Sequence, residues 1–209
     1  MDPKAMYKLS YGLFVVTSRD EEKNKDNGCI TNTVMQVTSD PNRISIAVNK
    51  ANYTHDLIMD CGRLNVSVIS KEADFELFRR FGFQSGRDVD KFDGFADYER
   101  ADNGLLYVTK GTNALIGATV EKSFDLGTHT MFIAAVNELE VLSGAGSCTY
   151  EFYQSDIKPA PAAAPAKQEG KTAWRCRICG YVYEGEELPE DFVCPICKHG
   201  AADFERITV

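Results

Sequence analysis

No run of about twenty apolar residues occurs in the 209-residue chain, so no membrane-spanning helix is expected. The opening residues Met1-Asp2-Pro3-Lys4 carry no apolar signal-peptide core. Neither GxGxxG nor GxxxxGK followed by Ser or Thr is found, which removes the two best-known phosphate loops. Positive charge is in deficit as well: 23 Lys and Arg stand against 31 Asp and Glu, a formal charge of −8. The deficit is shared, with 17 against 23 in residues 1–158 and four against seven in residues 173–209. An acidic surface disfavours nucleic acid or an anionic membrane as partner and permits a basic protein. Internal repeats are missing, and so is the strand–helix alternation of a doubly wound nucleotide fold.

The chain does have cysteine, in a telling arrangement. Of seven cysteines, Cys176 and Cys179 form one CxxC pair and Cys194 and Cys197 another, with fourteen residues between Cys179 and Cys194. Each CxxC turns the backbone so that both thiolates face one atom, and two such knuckles give a tetrahedral four-sulfur site. Thiolates alone do not choose between zinc and iron. Cys29, Cys61 and Cys148 are left over, and unpaired thiols beside a thiolate metal site suit a reducing cytoplasm, the expected location. The last forty residues are too few to be held by burial alone. Metal plus the aromatics Trp174, Tyr181, Tyr183, Phe192 and Phe204 is the expected remedy.

Ahead of this module, β-formers dominate. Tyr11–Thr17, Cys29–Thr38, Arg43–Val48, Leu64–Ser70, Leu105–Thr109, Ala114–Asp125 and Thr130–Leu142 read as strands. Asn27-Gly28 reads as a hairpin turn and Ser39–Asn42 as another. Short helices are expected before Gly62, with Thr54 as a candidate cap, and over Glu72–Phe81. Residues 82–103 read as a loop packed down by Phe83, Phe92, Phe95 and Tyr98. So many short-spaced strands predict a mainly β protein, an antiparallel barrel or sandwich. Three segments are expected: a β domain over 1–156, a Pro/Ala-rich linker over 157–172 and a metal-binding domain over 173–209. A proline-rich stretch of that length, extended at about 3.1 Å per residue, would span roughly 50 Å.

Two resemblances refine this reading. Trp174, Cys176, Cys179, Gly180, Tyr181 and Tyr183, then Leu188, Pro189, Asp191, Phe192, Cys194, Pro195 and Cys197, then Phe204, together resemble the rubredoxins. That resemblance implies one iron in four thiolates, passing single electrons. Lys198 departs from the pattern, standing where the second knuckle usually carries glycine. In the larger part, Val15-Val16-Thr17-Ser18, Asn27-Gly28-Cys29-Ile30-Thr31-Asn32-Thr33, Gln36-Val37-Thr38-Ser39, Val48-Asn49-Lys50, Thr54-His55, Leu64-Asn65-Val66-Ser67-Val68 and His129-Thr130 occur in succession. The ordered set resembles the flavin reductase-like FMN-binding family over roughly residues 3–153. It implies a split β-barrel and a homodimer.

By the same resemblance, Thr31, Asn32 and Thr33 run beside the flavin ring, and Gln36, Val37, Thr38 and Ser39 reach its edge and ribityl chain. Asn49 and Lys50 lie at the phosphate end with Thr54 and His55, and His129 lies near the flavin face. The fused architecture resembles the high-molecular-weight rubredoxin family. It implies an NAD(P)H-dependent oxidoreductase in which FMN takes a hydride and the Cys176, Cys179, Cys194, Cys197 iron passes single electrons to an acceptor such as a flavodiiron oxygen or nitric oxide reductase. No general acid, base or nucleophile is expected. Two alternatives stand beside it: a zinc-ribbon recognition module on a flavin reductase, and a reductase that supplies reduced FMN to a monooxygenase.

Overall fold

The computed structural model describes residues 5, 8–159, 172–177, 181–194 and 200–208. It divides into two compact units, Met1–Ile157 and Lys158–Val209. Among the described residues no helix is long and apolar enough to cross a membrane.

In the first unit seven antiparallel strands make one sheet. In chain order they are β1 (Phe14–Asp20), β2 (Lys25–Thr31), β3 (Met35–Ser39), β4 (Asn42–Asn49), β5 (Arg63–Ile69) and, after a helix and a small ribbon, β8 (Thr112–Asp125) and β9 (His129–Val141). Their order across the sheet is β2-β1-β5-β8-β9-β4-β3. Helix α1 (Tyr53–Cys61) connects β4 to β5. Helix α2 (Phe75–Gly82) follows β5, and β6 (Tyr98–Arg100) pairs with β7 (Leu106–Val108). The mainly β class expected from the strand-rich sequence is the one observed.

Strand period two sends successive side chains to opposite faces, and here both faces are buried. Val16 joins Ile44, Ile46, Val48, Ile58, Val66 and Phe132 in one core. Its neighbour Val15 joins Leu77, Phe78, Phe81 and Tyr153 in the other. Strands β8 and β9 bend at two register shifts, Gly117/Ala118 and Val120/Lys122, which lets long strands curl. Beyond the second bend the end of β8 and the turn after it are exposed, Phe124 and Leu126 included, while Thr130 and Phe132 of β9 stay buried.

Three local expectations fail for identifiable reasons. Asn27-Gly28 is no turn; both lie inside β2, with Gly28 opposite Thr17. The turn spans residues 21–24, where Asn24 takes a positive φ of 53°. Gly28 serves close approach instead, since a Cβ there would lie 3.1 Å from both Phe81 and Thr17 side chains. Cys29–Thr38 is not one strand but two, broken between Thr31 and Met35. Thr54 does not cap α1. Asn52 holds the cap position without a side-chain cap bond, and Thr54 is buried inside. The second helix is capped by Asp74, which accepts from Leu77 N at 3.1 Å.

In the second unit β10 (Thr172–Cys176) lies between β11 (Val182–Glu184) and β12 (Phe204–Thr208). Phe192 gathers the aromatics, with ring centroids 6.5 Å from Tyr181, 4.7 Å from Tyr183 and 5.3 Å from Phe204. Residues 160–171, the centre of the expected linker, lie outside the described residues.

Candidate functional site

Outside the β3 hairpin, the candidate residues of the first unit gather along the C-terminal half of β4. Thr31 and Thr33 stand on either side of the break after β2. Their hydroxyls are 2.9 Å apart, and both donate to the Ala47 carbonyl, at 3.3 and 2.8 Å. Thr33 Oγ1 also accepts from Ala47 N at 3.1 Å. Strands β2 and β4 are not ladder neighbours, so these hydroxyls tie together parts of the sheet that its strand order keeps apart. Asn32 sits half-buried between them.

Strand β3 is an exposed edge. Gln36 Nε2 donates to Asn42 Oδ1 at 3.0 Å, Thr38 Oγ1 donates to the Pro41 carbonyl at 2.6 Å, and Ser39 pairs with Asn42. Val37 lies at a register shift between Gln36 and Thr38 and is 40% exposed. A row of exposed backbone and hydroxyl groups of this kind can receive a polar chain.

At the end of β4, Asn49 Oδ1 accepts from Ala51 N at 2.9 Å, and Asn49 faces His129 across the ladder. His129 Nδ1 is 2.9 Å from Thr128 Oγ1. Lys50 is already engaged: its Nζ lies 2.7 Å from Asp125 Oδ1. The Lys50 hydrogen bond is the first cause holding the Asp125 carboxyl below the usual range, with the Gly127 amide second.

Helix α1 then begins. Thr54 Oγ1 accepts from Asn27 Nδ2 at 2.8 Å. His55 is buried, with Nε2 2.8 Å from Thr130 Oγ1 and Nδ1 3.0 Å from Asp56 Oδ1. Its ring stands 5.9 Å from Phe132. Asp56 also accepts from Arg87 Nη2 at 2.6 Å. Burial pushes the Asp56 carboxyl up, but hydrogen bonds from His55 and Arg87 outweigh it and hold it low.

The structure therefore brings Asn49, Lys50, Thr54, His55 and His129 to one end of β4, and Thr31 and Thr33 to Ala47 two residues back. Gln36–Ser39 form the separate β3 hairpin. Asn27, Asp56, Arg87 and Asp125 complete this network without having been expected from the sequence. Arg87 reaches Asp56 across 31 residues from a loop with no periodic signal. Cys29 is buried in the barrel core, and burial, partly offset by a hydrogen bond with Thr54, pushes its thiol up. That environment suits packing, not nucleophilic chemistry.

In the second unit, Cys176 ends β10 and Cys194 follows the Val193–Gly200 bridge; both are buried, 1% and 0% exposed. Cys176 N donates to the Tyr181 carbonyl at 2.8 Å. Cys179, Gly180, Cys197 and Lys198 lie outside the described residues. Two buried sulfurs, one from each knuckle and flanked by aromatics, suit the donor set of a thiolate metal site.

Comparison with known proteins bears on both units. The flavin reductase like domain family matches residues 6–161, and the rubrerythrin, rubredoxin-like domain family matches residues 174–205. A high molecular weight rubredoxin of Moorella thermoacetica is 36% identical, covering 99% of this chain and 100% of that one. A ferric-chelate reductase (NAD(P)H) of Archaeoglobus fulgidus is 42% identical over 73% of this chain and 89% of its own. Among solved structures, an NADH:FAD oxidoreductase of Streptomyces globisporus, in complex with NAD and FAD fragments, superposes with a TM-score of 0.63. It is 21% identical and covers 77% of this chain and 92% of that one, a likeness of fold.

Proposed function

This chain belongs to the flavin reductase-like family and ends in a rubredoxin-like domain, and on that premise we propose that it is an oxidoreductase passing electrons from NAD(P)H through FMN to an iron centre and on to an acceptor protein. One observation carries the reading: a single chain joins a flavin reductase-like β unit to a small unit that buries one cysteine from each of two CxxC knuckles. When bound, flavin accepts a hydride and releases electrons singly, and iron in thiolates carries one electron at a time.

The chain's own residues position these groups. Thr31, Asn32 and Thr33 would line the flavin ring, their loop fixed on Ala47 by two hydroxyls. Gln36, Val37, Thr38 and Ser39 would meet the ring edge and ribityl chain along the exposed β3 edge. Asn49, Lys50, Thr54 and His55 would surround the phosphate end, with the positive end of the α1 dipole favouring an anion. His129 would stand at the flavin face. Cys176, Cys179, Cys194 and Cys197 would supply the thiolates. A homodimer is supported by exposed Met35, Val37, Phe124 and Leu126, which a second copy would cover. The acceptor is proposed to be a flavodiiron-type reductase in the same cytoplasm.

The test is a visible spectrum with metal analysis, then anaerobic NADH or NADPH titration. A ferric-thiolate band over a flavin spectrum, both bleached by the nicotinamide, is expected. Flavin that bleaches beside a zinc-filled tail would overturn the electron exit. The variant Cys176→Ser is expected to keep flavin reduction by NAD(P)H at the parental rate and to lose transfer to an external one-electron acceptor. Equal slowing of both steps in stopped-flow would refute separate roles.

A further inference from the structure

Tyr53, Thr54, His55 and Asp56 make the first turn of α1, and each of the four side chains is held from outside the helix. Tyr53 donates its hydroxyl to Asp20 Oδ2 at 2.9 Å. Its ring also lies 5.4 Å from the Arg87 guanidinium and 5.9 Å from Lys25 Nζ. Thr54 is held by Asn27, and His55 by Thr130 and Asp56. Asp56 is held by Arg87, a half-exposed pair at 2.6 Å.

The charges at this helix start are opposed. The turn sits at the positive end of the helix dipole, which favours an anion. Asp56 puts a carboxylate there and competes with any incoming anion. Lys50, the nearest candidate cation in sequence, is already paired with Asp125. Arg87 is the cation paired with Asp56. It comes from the 83–97 loop, which also grips this region through Lys25 Nζ on the Gly86 carbonyl at 3.2 Å.

We infer that Arg87 is a positioning residue for the flavin phosphate: by pairing with Asp56 it cancels the carboxylate charge in the first turn of α1 and leaves that turn receptive to an anion. This rests on the flavin reading above and adds to it a residue remote in sequence, acting through another side chain. The effect is electrostatic, so it depends on the phosphate. A flavin without one, riboflavin, gains nothing from Arg87.

The full-length chain, freed of flavin and reconstituted, is titrated with FMN and with riboflavin by fluorescence quenching at low salt. Arg87→Met keeps an unbranched side chain and removes the guanidinium from both Asp56 and the Tyr53 ring. FMN affinity is expected to fall about three- to tenfold, as for one unpaired carboxylate near the site, while riboflavin affinity stays within about twofold. Adding Asp56→Asn to Arg87→Met is expected to restore FMN binding, because the repelling charge is then gone. Equal loss of both flavins, unchanged FMN affinity, or failure of the double variant to recover would each overturn the inference. A parental protein that binds neither flavin would sink the flavin reading, and this inference with it; one that binds both, with a variant that loses both equally, would sink the inference alone.

Discussion

Lys91 is 3% exposed, yet it is a lysine. Its Nζ donates to the Gly28 carbonyl at 2.8 Å and the Phe81 carbonyl at 3.1 Å, and it has no ion pair among the described residues. Burial lowers its pKa from 10.5 to about 8. At about 1.4 kcal/mol per pH unit, that displacement costs the charged form roughly 3 kcal/mol. The sign follows from proton counting. Between about 8 and 10.5 the unfolded chain holds the proton and the folded one has released it, so stability rises with pH across that window and is flat below it. Lys91→Met removes the titration and also takes the Lys91 donor from the Gly28 and Phe81 carbonyls, a separate cost of about 1–3 kcal/mol. The readout is therefore the change in the difference between parent and variant, in which the other titrations cancel. From pH 7 to 9.5 the parent is expected to gain about 2 kcal/mol on the variant. Urea unfolding followed by far-UV circular dichroism measures this, because the one tryptophan, Trp174, lies in the other unit. A difference that stays constant from pH 7 to 9.5 would show that the Lys91 charge is solvated and refute the reasoning.

The same loop makes a second prediction at Gly86. A Cβ there would fall 2.1 Å from Asn27 Oδ1, on a buried side chain already committed to Thr54, so Gly86→Ala should cost about 1–3 kcal/mol. In an Asn27→Ala background the same change should cost about 1 kcal/mol less, and urea denaturation showing simple additivity would contradict the clash. A third concerns Thr33. Thr33→Val keeps the shape and removes a hydroxyl that both donates to and accepts from Ala47, so a loss of about 1–2 kcal/mol is expected. Thr38→Val, at an exposed bond, should cost less in the same assay, and equal losses would deny the Thr33 hydroxyl its bridging role.

Much of this architecture is legible in local pattern. The alternation in Leu64–Ser70 and the β-rich run before Asp20 become β5 and β1, and two long apolar stretches become the bent pair β8 and β9. Cysteine spacing marks the metal module, and four of its five aromatics, Tyr181, Tyr183, Phe192 and Phe204, meet around Phe192. Two of the failures share one cause, a local signal overruled by a distant contact. Asn27-Gly28 has turn chemistry, but Phe81 and Thr17 pack so closely on β2 that a Cβ at position 28 would crowd both at 3.1 Å, and Asn27 is drawn inside by Thr54. Thr54 has cap chemistry, and the same bond takes it away. The 82–103 loop was readable as aromatic packing, since Phe92 and Phe95 both lie 5.4 Å from Phe81. Its polar work was not readable. Lys91 reaching Gly28 and Arg87 reaching Asp56 span 63 and 31 residues, and a lone Lys or Arg in a loop ordinarily signals only a solvated charge.

These long-range bonds bear on why the proposed electron path is divided as it is. Among the described residues, the candidate flavin residues take their bonds from within the first unit: Ala47 for Thr31 and Thr33, Asn27 for Thr54, Thr130 and Asp56 for His55, Asp125 for Lys50. The ladder and the aromatic cluster around Cys176 and Cys194 come from within the second. Each unit thus carries its own supports for one half of the chemistry. A hydride acceptor needs a rigid, shaped pocket, because the reacting atoms must be held at near-contact distance. A one-electron thiolate centre needs its ligands fixed and shielded, and asks nothing of the pocket that loads the flavin. Removing one thiolate should therefore cut the path after the flavin without disturbing what precedes it, which is why Cys176→Ser separates the two halves more cleanly than any substitution in the barrel.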